Sequence, residues 1–222
     1  MSVSSYQNIL DILKPYGSRL VAVSKTKSVE EIRELYNQGQ RDFGENYVQE
    51  LMEKETALPK DIRWHFIGHL QTNKVKFIAP FIYMIQSVDS LKLLHEIDKQ
   101  AAKNQRVIFC LLQIFIAREE TKFGMNETEL DSLIITVNQN RQNEKFSHSL
   151  ISGCMGMASL TENQALIHDE FKRLREIFEK IKTSFPSDPV DTLSMGMSND
   201  YLIALEMGSS MVRIGSLIFG KR

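Results

Sequence analysis

Two lysines, Lys25 and Lys27, close an apolar run in "LVAVSKTKSVEEI" (residues 20–32), where a strand-like pattern passes into a helix-like one. Far along the chain, "SMGMSND" carries Gly196 and Ser198, and "MVRIGS" carries Arg213, Gly215 and Ser216. A deprotonated lysine amine is a nucleophile toward carbonyl groups. It becomes one when burial or a neighbouring cation lowers its pKa from about 10.4. Glycine lets backbone N–H groups approach an anion, serine adds a hydroxyl donor, and a helix N-terminus adds partial positive charge. Taken singly, each Ser–Gly cluster is equally an ordinary cap or turn. Two such clusters at matching places in a regular fold point to a phosphate.

The elements that must position these residues alternate strictly. "RLVAVSK", "DFGEN", "RWHFIGH", "IYMIQSV", "RVIFCLLQIFI", "HSLISGCMGM", "DTLSMG" and "MVRIGSLIFG" read as strands, and helical patterns separate them. The fifth is a continuous apolar run, as expected of a strand buried on both faces. Ser28 with Glu31 three residues on is a capping-box start, and a short N-terminal helix falls at about residues 4–14. Doubly wound sheets also alternate. Eight strands, uninterrupted by any block of helices or strands alone, predict an α/β fold with a single (β/α)8 TIM barrel over residues 1–222 as one domain.

In such barrels the working face is the carboxyl end of the strands, and the loops after strands seven and eight usually hold a phosphate. The run from Ser24 to Lys27, Glu45, Asn46, Gly68, His69, Gln86, Ser87, the loop with Lys122, Met155 to Met157, Ser194 to Ser198 and the run from Arg213 to Ser216 read as strand ends and should share one mouth. A lysine facing a phosphate site suits pyridoxal 5'-phosphate, with the phosphate as anchor and the lysine forming a Schiff base with the aldehyde. If the first strand continues, Lys25 and Lys27 share a face, so spacing leaves open which is the anchor and which supplies the field. Arg213, two residues before Gly215, is placed to face the ring. A cation there would keep the ring nitrogen unprotonated and weaken the ring as an electron sink.

The totals narrow the alternatives. The net charge is −1 with 25% charged residues, so no basic field points to nucleic acid. Cys110 and Cys154 each sit in an apolar segment, which reads as two reduced thiols in a cytoplasm rather than a disulfide or zinc site. The N-terminus lacks a signal-peptide pattern, and no apolar run is long enough for a membrane span. His65 and His69 flank "FIG" without a carboxylate cluster. That favours a hydrogen-bonding pocket role for His69, an inward structural role for His65, and no metal.

Several stretches together, "AVSKTK", "GQRDFGENYVQE", "WHFIGHLQTNK", "SVDS" and "DTLSMGMSNDYLIALEMGSSMVRIGSLIFG", resemble the YggS/PROSC family of pyridoxal phosphate homeostasis proteins from about residue 20 onward. The resemblance implies a barrel of the alanine racemase N-terminal type, fold type III among pyridoxal phosphate proteins. It implies Lys25, the first lysine of "SKTK", as the Schiff-base residue. Ser198, Gly215 and Ser216 fall on the phosphate, Arg213 near the ring nitrogen, and Asn46 and Met157 on pocket positions. The implied role is to buffer or carry the cofactor, with apo enzymes as recipients, and to balance vitamin B6 and amino-acid pools without catalysis of its own. A monomer is expected. Ser28 stands where a proline is common, the loop at 118–127 is more charged, and the region at 137–149 is more polar than the family's usual pattern. An amino-acid racemase is the rival. It needs an acid or base on each face of the adduct, and the chain stops at Arg222 without the separate domain that carries the second one in alanine racemases. A barrel binding another phosphorylated metabolite without a covalent bond is the third reading.

Overall fold

A computed structural model of the chain describes residues 3–117, 123–141 and 146–220. Lys122, Arg118 and Glu119, and residues 142–145 of the polar region, lie outside the described residues. Eight strands form the inner wall: β1 Arg19–Val23, β2 Asp42–Glu45, β3 Arg63–Phe66, β4 Met84–Val88, β5 Ile108–Gln113, β6 Ser149–Met155, β7 Thr192–Ser194 and β8 Met211–Ile214. Each is parallel to the next, and β8 pairs with β1 from Arg19↔Met211 to Ala22↔Ile214, closing the barrel. This is the predicted (β/α)8 architecture.

The helices are α1 Val3–Leu13, α2 Val29–Asn37, α3 Val48–Ala57, α4 Val75–Ile78, α5 Leu91–Lys103, α6 Glu127–Arg141, α7 Gln164–Ser184, α8 Tyr201–Glu206 and α9 Ser216–Phe219. Their starts follow the caps in the sequence. Ser28 Oγ accepts from the Glu31 amide at 3.2 Å while the Glu31 carboxylate accepts from the Ser28 amide at 2.8 Å, the reciprocal capping box. Ser90 and Asn163 cap α5 and α7. One predicted element ends early. The apolar run to Gly220 reads as a strand, but β8 stops at Ile214, and the Ile218 and Phe219 amides both donate to Gly215 O. A short apolar run does not by itself distinguish buried strand from helical turn.

Side chains alternate between two cores. Outward residues such as Phe43, Phe66, Ile85, Cys110, Cys154 and Val212 pack under the helices. Inward residues Val21, Met84, Leu111, Met155 and Met211 fill the barrel. β6 holds the faces in register by a bulge. Cys110 pairs with Ile151, but Leu111 pairs with Gly153, which leaves Ser152 as an extra residue. Ile151 belongs to the outer core and Met155 to the inner one. In a regular strand both odd-numbered residues would face the same way. The bulge therefore turns Met155, and after it Met157, inward.

Candidate functional site

The carboxyl ends of the strands open into a cavity of about 550 Å³, within the size range of small-molecule sites. Lys25, Lys27, Asn46, Met157, Ser198, Arg213, Gly215 and Ser216 all line it. His69 does not. It lines a neighbouring depression with Tyr47 and Lys74, where its ring stacks on Phe123 at 4.3 Å and Nδ1 lies 3.2 Å from Asp89. The expectation of a cavity role for His69 is replaced by a place beside the cavity. Asn46 borders both spaces, and its buried Oδ1 accepts no hydrogen bond among the described residues.

The two lysines separate at Thr26. Its backbone takes φ 64°, a left-handed turn that ends the strand-like alternation. Lys27 is thereby committed elsewhere: Nζ donates to Phe219 O at 3.2 Å and pairs with Glu31 at 3.3 Å. Lys25 Nζ has no hydrogen-bond or ion-pair partner among the described residues, and it lines the cavity.

The turn carrying Lys25 is fastened from both sides. Lys54, on α3, donates to Ser24 O at 2.7 Å, to Glu45 at 2.8 Å and to Glu50 at 2.7 Å. Ser24 Oγ donates to Glu45 at 2.6 Å, and the Thr26 amide donates to Glu50 at 2.5 Å. Glu45 and Lys54 are buried. Burial pushes the Glu45 carboxyl above its ordinary range, against the pull of Lys54. Removing one member of a buried pair strands the other. Lys54→Met is expected to cost about 3–5 kcal/mol of stability, measured by urea unfolding. The unlinked turn should also expose the Ser24 to Lys27 amides to faster hydrogen exchange.

On the other side, the amides of Ser198, Asn199 and Ser216 donate to no protein acceptor among the described residues. A Cβ at Gly215 would stand 3.0 Å from Val23 O and 3.2 Å from Val23 Cβ, so glycine lets this turn pack closely against β1. Arg213 is buried beneath the cavity, with Nη1 donating to Ser194 Oγ at 2.6 Å and Nη2 to Gly156 O at 3.0 Å. Burial lowers its pKa to about 10, opposed by Asp200, which leaves it a cation at neutral pH.

Deeper in the barrel, Gln86 joins Ser194 to His65, and His65 reaches Asp42. Burial pushes the His65 pKa below its ordinary 6.5, against the pull of Asp42. The unfolded chain therefore takes up this proton first, so stability falls as pH drops below about 6.5. His65→Gln should flatten that slope in urea midpoints compared at pH 7 and pH 5. Sequence reasoning placed Gln86 and Ser194 at the mouth, but both are buried below it and reach the site through Arg213. It missed Lys54, which acts through partners on β1 and β2. Glu45, Glu50 and Lys54 at spacings of five and four within one β–α unit are the one local signal.

The description "Alanine racemase, N-terminal domain" matches residues 4–222. The pyridoxal phosphate homeostasis protein of Haemophilus influenzae is 38% identical over 92% of this chain and 85% of its own length. That of Homo sapiens is 40% identical over 92% of this chain and 76% of its own. The chain belongs to the pyridoxal phosphate homeostasis protein family. Among solved structures it is similar to PipY of Synechococcus elongatus PCC7942, described both without and with pyridoxal phosphate. The form without it superposes with a TM-score of 0.89 at 32% identity, covering 98% of this chain and 99% of that one. The form with it gives 0.87 at 31%. Alanine racemase from Streptomyces lavendulae shares the fold alone, with a TM-score of 0.74 at 17% identity over 55% of that chain. No described helix is long and apolar enough to cross a membrane, and no cluster of three metal-ligating side chains occurs among the described residues.

Proposed function

We propose that this protein binds pyridoxal 5'-phosphate covalently through Lys25 and serves cofactor homeostasis. The observation that carries the reading is the unpartnered Lys25 amine in the same cavity as the uncommitted amides of Ser198, Asn199 and Ser216. The residues fit the group. An amine suits the aldehyde, and free N–H donors and serine hydroxyls suit a phosphate dianion. When bound, pyridoxal phosphate supplies an amine-reactive aldehyde and an electron-withdrawing ring. Ser198, Gly215 and Ser216 hold the phosphate. Arg213 faces the ring with a fixed positive charge, which opposes protonation of the ring nitrogen. Met157 and Asn46 form the walls.

The protein acts as a cofactor holder for recipient enzymes rather than on a substrate of its own. Among the described residues, the ionisable side chains lining the cavity are Lys25, Lys27, Asp200 and Arg213. Lys27 is held by Phe219 O and Glu31 and Arg213 by Ser194 and Gly156, while Asp200 accepts from the Met197 amide at 2.6 Å. A racemase needs two proton-transfer groups on opposite faces, and this set offers Lys25 alone. Two buried free cysteines suit a cytoplasmic protein. The test is to titrate the purified protein with pyridoxal phosphate, reduce with borohydride and map the modified peptide. A coloured adduct fixed on Lys25 is the expected result. A protein that stays colourless, or an adduct spread over surface lysines, overturns the reading. α-Proton exchange from alanine at an enzyme-like rate overturns the holder role alone.

A further inference from the structure

The barrel interior beneath Arg213 carries a run of polar side chains from four strands. Arg213 Nη1 donates to Ser194 Oγ at 2.6 Å, and Ser194 Oγ donates to Gln86 Oε1 at 2.7 Å. Gln86 Nε2 lies 3.0 Å from His65 Nδ1, and His65 Nε2 lies 2.9 Å from Asp42 Oδ1. Asp42 is closed off by Arg63, at 2.8 and 2.5 Å. Asp42, His65, Gln86, Ser194 and Arg213 are all buried.

The protons along this run have one consistent arrangement. A guanidinium can only donate, so Ser194 Oγ accepts from it and sends its own hydrogen to the Gln86 carbonyl. That fixes the Gln86 amide with its NH2 toward His65. Nδ1 must then accept, so the imidazole carries its hydrogen on Nε2 and donates it to the Asp42 carboxylate. Every donor points the same way, from the cation at the cavity to the anion at the other end of the barrel. Rotating the guanidinium would break its bonds to Ser194 and Gly156 and strand each buried group behind them. The neighbouring interior positions are Met84, Leu111, Met155 and Met211, so apolar filling of this space is available to the fold. The polar run instead starts at Arg213, a buried cation that lines the cavity.

We propose that Ser194, Gln86 and His65 are positioning residues that lock the Arg213 guanidinium in the pose it presents to the cofactor ring. The proposal rests on the pyridoxal phosphate reading above. It asks that the pose of Arg213, and not only the stability of the barrel, depend on residues that never touch the cofactor.

The test is Gln86→Met in the full-length protein, which removes the central link while filling the space. Pyridoxal phosphate is titrated by absorbance, inorganic phosphate by its competition with pyridoxal phosphate, and the thermal midpoint is recorded without ligand. The expected result is about tenfold weaker pyridoxal phosphate binding with a displaced adduct absorbance band, and inorganic phosphate binding within about twofold of wild type. A thermal midpoint that falls while both affinities and the band stay at wild-type values assigns the run a structural role and overturns the proposal. Where Gln86→Met fails to fold, Ser194→Ala cuts the run next to Arg213 with a smaller change and should give the same separation of ring and phosphate effects. Loss of folding in both variants also overturns it. Wild-type protein that forms no adduct sinks the cofactor reading, and this proposal with it. Wild-type protein that binds normally beside unaltered variants sinks the proposal alone.

Discussion

Lys25→Ala leaves no borohydride-trappable adduct, and pyridoxal phosphate retention falls by about a hundredfold or more, equivalent to about 2.7 kcal/mol. The size follows from what the substitution removes. Lys25 is the cavity amine without a partner, so the covalent bond has no substitute nearby. Lys27 stays tied to Phe219 O and Glu31 on the far side of the Thr26 turn. The phosphate donors remain, so residual, reversible binding that inorganic phosphate competes away should persist. The fold should not suffer, because Lys25 supports no other contact. The matching control is Lys27→Ala, which keeps the adduct at Lys25. Should Lys25→Ala still trap the cofactor at wild-type yield, on Lys27 or elsewhere, the assignment of the anchor is wrong.

Gly153→Ala is expected to unfold the barrel or destabilise it by about 4 kcal/mol or more, the range reserved for severe backbone conflicts. Gly153 has φ 143°, and a Cβ there would sit 1.8 Å from Thr192 O. That oxygen belongs to the neighbouring strand, so relief requires β6 and β7 to part. The damage should reach the cavity as well. The bulge at Ser152 and Gly153 is what faces Met155 and Met157 inward, and a strand that straightens to escape the clash turns them toward the helices. Urea unfolding gives the stability loss. Near-ultraviolet circular dichroism and ligand titration of whatever remains folded separate global from local damage. A variant with wild-type midpoint and binding would show that the bulge is not under this constraint.

The alternation of strands and helices was legible because each βα unit buries a strand on both faces and leaves a helix half exposed, and those two burial regimes write different periods into the sequence. The capping box at Ser28 and Glu31 marked the start of α2 to the residue. The cavity residues were legible where they follow strands within a few residues, as with Lys25, Met157 and Ser198, or lie near a strand's carboxyl end, as with Arg213. His69 follows a strand too, but Ile67 lines the cavity while His69 lies beside it, and between them Gly68 packs directly against the Asn46 backbone. What stayed hidden needs register. Gln86 touches Ser194 across 108 residues of chain, and only closure of the barrel brings them together. The bulge in β6 carried one faint mark, a glycine inside a strand pattern. The choice between Lys25 and Lys27 turned on a single backbone angle at Thr26, and threonine rarely adopts it.

The pairing of β1 with β8 has a consequence for the order of events in folding. Lys25 follows the first strand, Arg213 lies in the last and Gly215 and Ser216 follow it, so these two parts of the cavity are separated by nearly the whole chain. Closing so large a loop is entropically the most costly contact the barrel makes. A chain that has built seven strands would have the proposed anchor and Ser198 but not Gly215 and Ser216 of the proposed phosphate site. Ligand capture therefore cannot assist the early steps and can act only as a latch on the finished ring, where it stabilises the seam between the chain's two ends by mass action.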